Sequence, residues 1–276
     1  MSDGRAPDVA APTVGAQAVR RALAVLRIVA ASQEQGARLL DVAYATGLNR
    51  ATVHRLLQVL VEEGAVEQDP ATRRYLIGGE VSLMGLARVA RFPIRGMAAP
   101  HLQALSETEG ETSFLTIRNG DDSVCLARHP GSYVIKVLSI EVGARRPLGV
   151  GVSGLILLGH LPEDEREAIL QRNARRLQSL HLDVDELRQR ARLVQRRGHA
   201  FAPAGLVRGT RALAVPVQHP DGRMLAGLAV TAIKDRLPDE RVPQLVQVMQ
   251  RHARQIAERW AERSPHSRRY VLGPDA

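Results

Sequence analysis

The sequence predicts a chain of the mixed α/β class, of the α+β kind: an N-terminal winged helix-turn-helix, a linker helix, and a larger antiparallel-sheet domain. Three observations carry this. Two short helical patterns flank Gly47 and are followed at once by an arginine-tipped hairpin pattern. An amphipathic stretch then runs into Phe92-Pro93, where proline removes a helical donor. Beyond it, short β patterns with turn signals are segregated from runs of helix. The expected boundaries are a disordered arm over 1–13, the winged unit over 14–79, the linker over 80–97, the second domain over 98–264, and a tail over 265–276.

Val19, Ala22, Leu23, Leu26, Val29 and Ala30 keep one apolar face through a segment free of Gly and Pro, which predicts the first helix. Leu39, Val42 and Ala43 repeat at helical spacing, with Leu40 standing where a Ser or Thr cap would normally open that helix. Gly47 can take the positive φ of a sharp turn, and Leu48 fills the space between the two helices. Asn49 is the expected cap of the next helix, whose Val53, Leu56, Leu57 and Leu60 line one face to about Glu63. The opposite face is left to Arg50, Ala51, Thr52, Arg55 and Gln58, short or donor-rich residues suited to a major groove entered N-terminus first. His54 reads as turned toward the packed side, ordering the wing. Residues 65–68 and 73–77 read as two strands around the turn 69–72, so the wing tip carries Arg73 and Arg74, suited to phosphate or minor-groove contact.

At 276 residues the chain holds a second domain with its own core. The formal charge of +9 fits a polyanion partner, yet the basic residues are spread along the chain, and all but Lys136 and Lys234 are arginine. The single cysteine, Cys125, excludes an intramolecular disulfide and a thiolate zinc cluster. No apolar run reaches membrane-spanning length, and no signal peptide opens the chain, so a cytoplasmic protein is expected.

A helix with Leu83, Met84, Leu86, Ala87 and Ala90 is expected from Glu80 to Arg91. The second domain should open with a helix from Ala98 to Glu109 and continue as strands over 112–117, 123–128 and 133–142, with Asn119-Gly120-Asp121-Asp122 as a hairpin turn. Helices are expected over 153–160, 164–180 and 184–197, the last capped by Asp183 and closed by Gly198. Strands over 211–217 and 224–233 and a final helix over 238–262 complete an antiparallel sheet with helices on one face.

The order of parts resembles the IclR family of bacterial transcriptional regulators from about Val14 to Ala261. The resemblance rests on Ala45-Thr46-Gly47-Leu48, Thr52-Val53-His54-Arg55-Leu56-Leu57, Gly110-Glu111-Thr112, Pro147-Leu148 before Gly154 to Leu158, Arg197-Gly198-His199-Ala200, and Ala214-Val215-Pro216-Val217. It implies a sequence-specific regulator, a repressor or activator with repressor preferred, reading a palindromic double-stranded DNA operator. It also implies that the C-terminal domain is GAF-like, binds a small carboxylate or partly apolar effector, and helps form a homodimer or homotetramer. Arg50, Ala51, Thr52, Arg55, Arg73 and Arg74 are then the DNA-binding residues. Leu148, Gly151, Val152, Ser153, Ala212, Ala229 and Thr231 are the effector-binding residues, with backbone donors at the helix start near Ser153 suited to a carboxylate. The family often places acidic residues and a cysteine in this pocket. Here Ala202-Pro203-Ala204-Gly205, Ala212, Ala229 and Thr231 stand instead, so few polar anchors are expected.

Other readings are weaker. Gly149-x-Gly151-x-x-Gly154 matches a dinucleotide fingerprint as a string, but no strand is expected to run directly into it. Gly151-Val152-Ser153-Gly154-Leu155 lacks the final glycine of a nucleophile elbow. His160, His181 and His199 lack a two-histidine metal spacing, so no metal, cofactor or catalytic residue is expected. The alternatives are a regulator without ligand control, or a DNA-anchored enzyme with nucleotide or hydrolase activity.

Overall fold

The computed structural model describes residues 16–263. The arm expected over 1–13 and the tail over 265–276 lie outside them. The chain divides into two compact units after Arg91.

In the first unit, α1 (Gln17–Ala31), α2 (Leu39–Thr46) and α3 (Arg50–Glu62) precede β1 (Val66–Gln68), β2 (Tyr75–Ile77) and α4 (Gly79–Arg91). Val25, Val29, Val42, Val53, Leu57, Val66 and Tyr75 form its core. Val19 and Leu23, expected inside, are exposed instead, because α1 buries only the narrower stripe through Val25 and Val29. The residue opening α2 is Arg38, whose backbone N–H donates to Asp41 Oδ2 at 3.4 Å, so Leu40 sits inside the first turn and is exposed. Gly47 ends α2 at φ 67°. Ala37 and Tyr75 exchange backbone hydrogen bonds of 2.8 and 2.9 Å, which adds a bridge beside the two-stranded wing.

The second unit contains α5 (Ile94–Glu109), β3 (Thr112–Asn119), β4 (Asp122–His129), β5 (Arg145–Pro147), α6 (Gly151–Gly159), α7 (Glu163–Ser179), α8 (Val184–Arg197), β6 (Ala200–Ala202), β7 (Thr210–Gln218), β8 (Met224–Ile233) and α9 (Val242–Arg263). Six strands form one antiparallel sheet in the order β5-β4-β3-β8-β7-β6. Phe92, Ile94 and Met97 are buried with this unit, so its first helix begins earlier than the sequence pattern suggested.

Helices cover both faces of the sheet, not one. Leu213, Val215 and Val217 of β7 and Leu228, Val230 and Ala232 of β8 pack with α5 and α9. The alternate residues Ala212, Ala214 and Ala229 face a second cluster built on α6, α7 and α8. The period of two along each strand sends large side chains to one layer and small ones to the other. Gly227 continues the small face: a Cβ there would lie 2.9 Å from Ile156 Cγ2 of α6.

The strand expected over 133–142 is absent. Val134 is 91% exposed and Ile135 55%, and β5 occupies the sheet edge beside β4, so the apolar run forms an irregular loop. Its ends are tied by Tyr133 N–H to the Gly110 carbonyl at 3.1 Å and Gly143 N–H to the Cys125 carbonyl at 2.7 Å. Strands β5 and β6, three residues each, were too short to give a periodic signal.

Between α5 and α9, His101 and His252 meet Nδ1 to Nδ1 at 3.2 Å. Burial first, and then Arg259 and the partner ring, hold His101 below its ordinary value; burial and Arg251 lower His252, against the raising effect of Glu109. One ring must donate and the other accept, so the native state disfavours protonating both. The unfolded chain therefore binds protons more readily, and stability is full above the ordinary histidine value of 6.5 and lost as pH falls below it. Thermal unfolding should show a lower midpoint at about pH 5.5 than at about pH 7.5, with a smaller drop in a His101→Gln, His252→Gln double variant. An equal drop in that variant would place the pH sensitivity elsewhere.

Candidate nucleic-acid interface and ligand cavity

The Asn49 side chain caps α3 by accepting from Thr52 N–H at 2.8 Å, which fixes the helix start. Val53 and Leu57 are fully buried beneath it, and Leu56 and Leu60 are half-buried, so the helix presents one opposite face. Ala51, Arg55 and Gln58 are exposed on that face, Arg50 is exposed at the helix start, and Thr52 is half-buried at the margin. His54 is exposed as well. The expectation that it packs inward fails because His54, next after Val53, is turned about 100° from it around the helix, outside the stripe that Val53 and Leu57 bury. Tyr44, which the sequence reading passed over, stands 93% exposed on α2.

The two wing arginines have different surroundings. Asp69 Oδ1 accepts from Ala71 N–H, Thr72 N–H and Thr72 Oγ1 at 3.0, 2.6 and 2.9 Å, and the Thr72 hydrogen bonds hold its carboxyl below the usual range. This turn places Arg73 at φ 58°, exposed. Arg74 instead turns back, donating through Nη1 to the Gln35 carbonyl at 3.2 Å and the Gly36 carbonyl at 2.9 Å. The tip therefore points one arginine outward, and the other braces the wing against the segment before α2.

In the second unit, a cavity of about 160 Å³ lies between the small-residue face of the sheet and the start of α6. Gly151, Val152, Ser153, Ala212, Ala229 and Thr231 all line it. Leu148 does not: it is fully buried in the core of the same layer. Register explains the convergence, since Thr231 pairs with both Thr112 of β3 and Ala212 of β7, and Ala212 pairs with Ala202 of β6. A strand, β5, does run into the loop before α6, contrary to expectation; it is the edge of an antiparallel sheet, unlike the parallel sheet that a dinucleotide fingerprint serves.

The expectation of few polar anchors is also corrected. Arg146, Arg190, Ser123, Thr116 and Cys125 share the wall with Phe114, Ile140, Leu182 and Leu206. The cysteine comes from β4 and not from the segment after Ala200. Burial pushes its thiol up to about 11, so it is neutral at ordinary pH. Alternation along β3 and β4 places Phe114, Thr116, Ser123 and Cys125 on one face, but only cross-strand register shows that this face is the one α6 covers.

Two family profiles match the chain. One, described as the IclR helix-turn-helix domain, covers residues 18–70; the other, the bacterial transcriptional regulator IclR C-terminal, covers residues 86–258. The chain belongs to the IclR family. Curated relatives include the HTH-type transcriptional regulator XynR of Escherichia coli, 28% identical over 81% of this chain and 88% of that protein. The glycerol operon regulatory protein of Streptomyces coelicolor is 28% identical over 87% of this chain and 95% of its own length. A transcriptional regulator from Rhodococcus sp. RHA1 shares the fold at a TM-score of 0.66, with 30% identity over 89% of this chain and 98% of that one. An IclR homologue from Microbacterium hydrocarbonoxydans, complexed with 4-hydroxybenzoate, superposes at a TM-score of 0.68, with 20% identity over 88% of this chain and 98% of that one. The protein is thus an IclR-type DNA-binding transcriptional regulator, as its relatives are transcriptional regulators and repressors.

Because Arg74 braces the wing, Arg74→Ala should lower the thermal midpoint of the first unit, whereas Arg73→Ala should leave it unchanged. Unfolding followed by circular dichroism tests this, and equal midpoints for both variants would remove the brace.

Proposed function

We propose that this regulator is a ligand-responsive repressor that binds a palindromic operator as a homo-oligomer in the cytoplasm, with Arg50, Ala51, Thr52, Arg55 and Arg73 at the DNA. The observation that carries the reading is the exposed N-terminal half of α3, where Arg50 and Arg55 flank short side chains that allow close approach to base edges. Arg73 at the wing tip supplies a phosphate or minor-groove contact. Leu83, Met84, Leu86 and Val89 on α4 are each more than 60% exposed, an apolar surface that supports pairing with a second copy.

The cavity of the second unit is the effector site in this reading. The start of α6 lies on its wall, where first-turn N–H groups and the helix dipole favour negative charge. The related Microbacterium protein was solved with a small aromatic acid, which fits the same chemistry. Among the described residues no helix is long and apolar enough to cross a membrane, which is compatible with the proposed location.

Selection of bound duplexes from a random pool at near-physiological salt, followed by sequencing, tests the whole reading. An enriched palindrome is expected, and absence of any enrichment would reduce the winged unit to a nonspecific anchor. On the selected site, Arg55→Ala should cost about 1–3 kcal/mol while changing random-DNA binding little. An equal loss on both would reassign Arg55 to phosphate contact. Arg73→Ala should reduce the slope of log affinity against log salt by about 0.9; an unchanged slope would remove it from the interface.

A further inference from the structure

Unmatched charge and an unused hydroxyl face the cavity from two different strands. Arg146 of β5 pairs in register with Ser123 of β4, and Cys125, two residues further along the same face, pairs with Thr116 of β3. Arg146 and Thr116 are thus two strand spacings apart across the sheet and two residues apart along it, about 12 Å between backbones, with Ser123 and Cys125 between them. All four line the cavity.

Arg146 is half-buried and donates through Nη2 to the Ser139 carbonyl at 3.3 Å. Among the described residues no carboxylate lies within ion-pair distance of it, and the wall contains no Asp or Glu. Glu141, on the same loop, is engaged by Arg128 at 3.0 Å. The second wall arginine, Arg190, has Glu186 at 3.6 Å. The neutral thiol of Cys125 offers no compensating charge. A guanidinium stays protonated at neutral pH, so this half-buried cation is left without an internal counter-ion. Thr116 is an independent observation: it is 3% exposed, and its Oγ1 is buried with no hydrogen-bond partner. Buried hydroxyls are ordinarily satisfied, so the site is complete only when something supplies that bond.

We propose that Arg146 selects the effector by charge: the ligand is a compact, ring-sized acid whose carboxylate pairs with Arg146 and whose opposite end hydrogen-bonds Thr116 Oγ1. The size follows from the cavity, since a closed space of about 150 Å³ accommodates benzene and this one measures about 160 Å³. A carboxylate suits a guanidinium because two parallel N–H donors meet its two oxygens. The inference rests on the cavity being the effector site, and it adds which residue reads the charge and which way round the ligand sits.

Isothermal titration calorimetry on the full chain with three probes tests it: benzoate, 4-hydroxybenzoate and the neutral 4-hydroxybenzamide. The 4-hydroxybenzoate should bind at least tenfold tighter than the amide. Arg146→Gln should abolish that preference, and Arg146→Lys, which keeps the charge, should retain most of it. Thr116→Val, nearly isosteric, should weaken 4-hydroxybenzoate and leave benzoate unchanged. Equal binding of acid and amide by the parent protein, or a preference that survives in Arg146→Gln, would overturn the role of Arg146 while leaving the cavity as a binding site. Equal effects of Thr116→Val on both acids would overturn the assigned orientation. If the folded protein binds none of the three, the ring-sized acid is overturned, and the cavity reading then stands or falls on ligands of other chemistry.

Discussion

The division of side-chain volume between the two faces of the six-stranded sheet governs the second unit. Leu213, Val215, Val217, Leu228 and Val230 fill the layer beneath α5 and α9, with Trp260 closing against Phe92 at a centroid distance of 4.7 Å. That layer is filled by large apolar side chains. The other face carries Ala202, Ala212, Ala214, Gly227 and Ala229, which let α6 approach but cannot fill the space near its first turn. The cavity is what this asymmetry leaves. Polar clamps hold the frame around it: Glu111, only 3% exposed, accepts from Arg236 at 2.8 Å, while Arg241 reaches Glu109 at 2.8 Å. A second clamp joins Asp121 of the β3–β4 turn to Arg172 of α7 through two bonds of 2.8 Å.

The same separation of roles is visible in the first unit. Val53 and Leu57 bind α3 to the core, Asn49 fixes where the helix begins, and the outward residues carry no packing duty. The wing is held by its own turn and by Arg74, so Arg73 is presented at a left-handed position without side-chain support from the core.

Much of this was legible because the signals are local. The glycine turn at Gly47, the Asn49 and Asp183 caps, the Gly198 helix end and the β3–β4 hairpin each need only a few neighbouring residues, and each stands where expected. Helices α7 and α8 and strand β8 were likewise placed to within a residue or so. What failed depends on distant partners. Residues 133–142 have strand composition, but the edge beside β4 is taken by β5, whose three residues carry no period. His54 and Val19 were misassigned because a helical face drawn from apolar residues is wider than the stripe that contacts reach. Six of the seven expected cavity residues line it, yet Arg146 and Thr116 escaped notice, since only the pairing of β5, β4 and β3 brings them to one wall.

Alanines that border open space have a consequence for how such a protein changes over time. Residues at Leu213 or Val230 are surrounded by neighbours on every side, so a change in their volume disturbs the whole layer. Ala202, Ala212 and Ala229 touch the void, and a larger side chain there can grow into it without displacing the packed face behind the strand. Because the two sets alternate along β7 and β8, the shape and polarity of the cavity wall can change by single substitutions while the packed layer behind the strands is kept. Variation of the cavity lining is thereby uncoupled from the risk of unfolding.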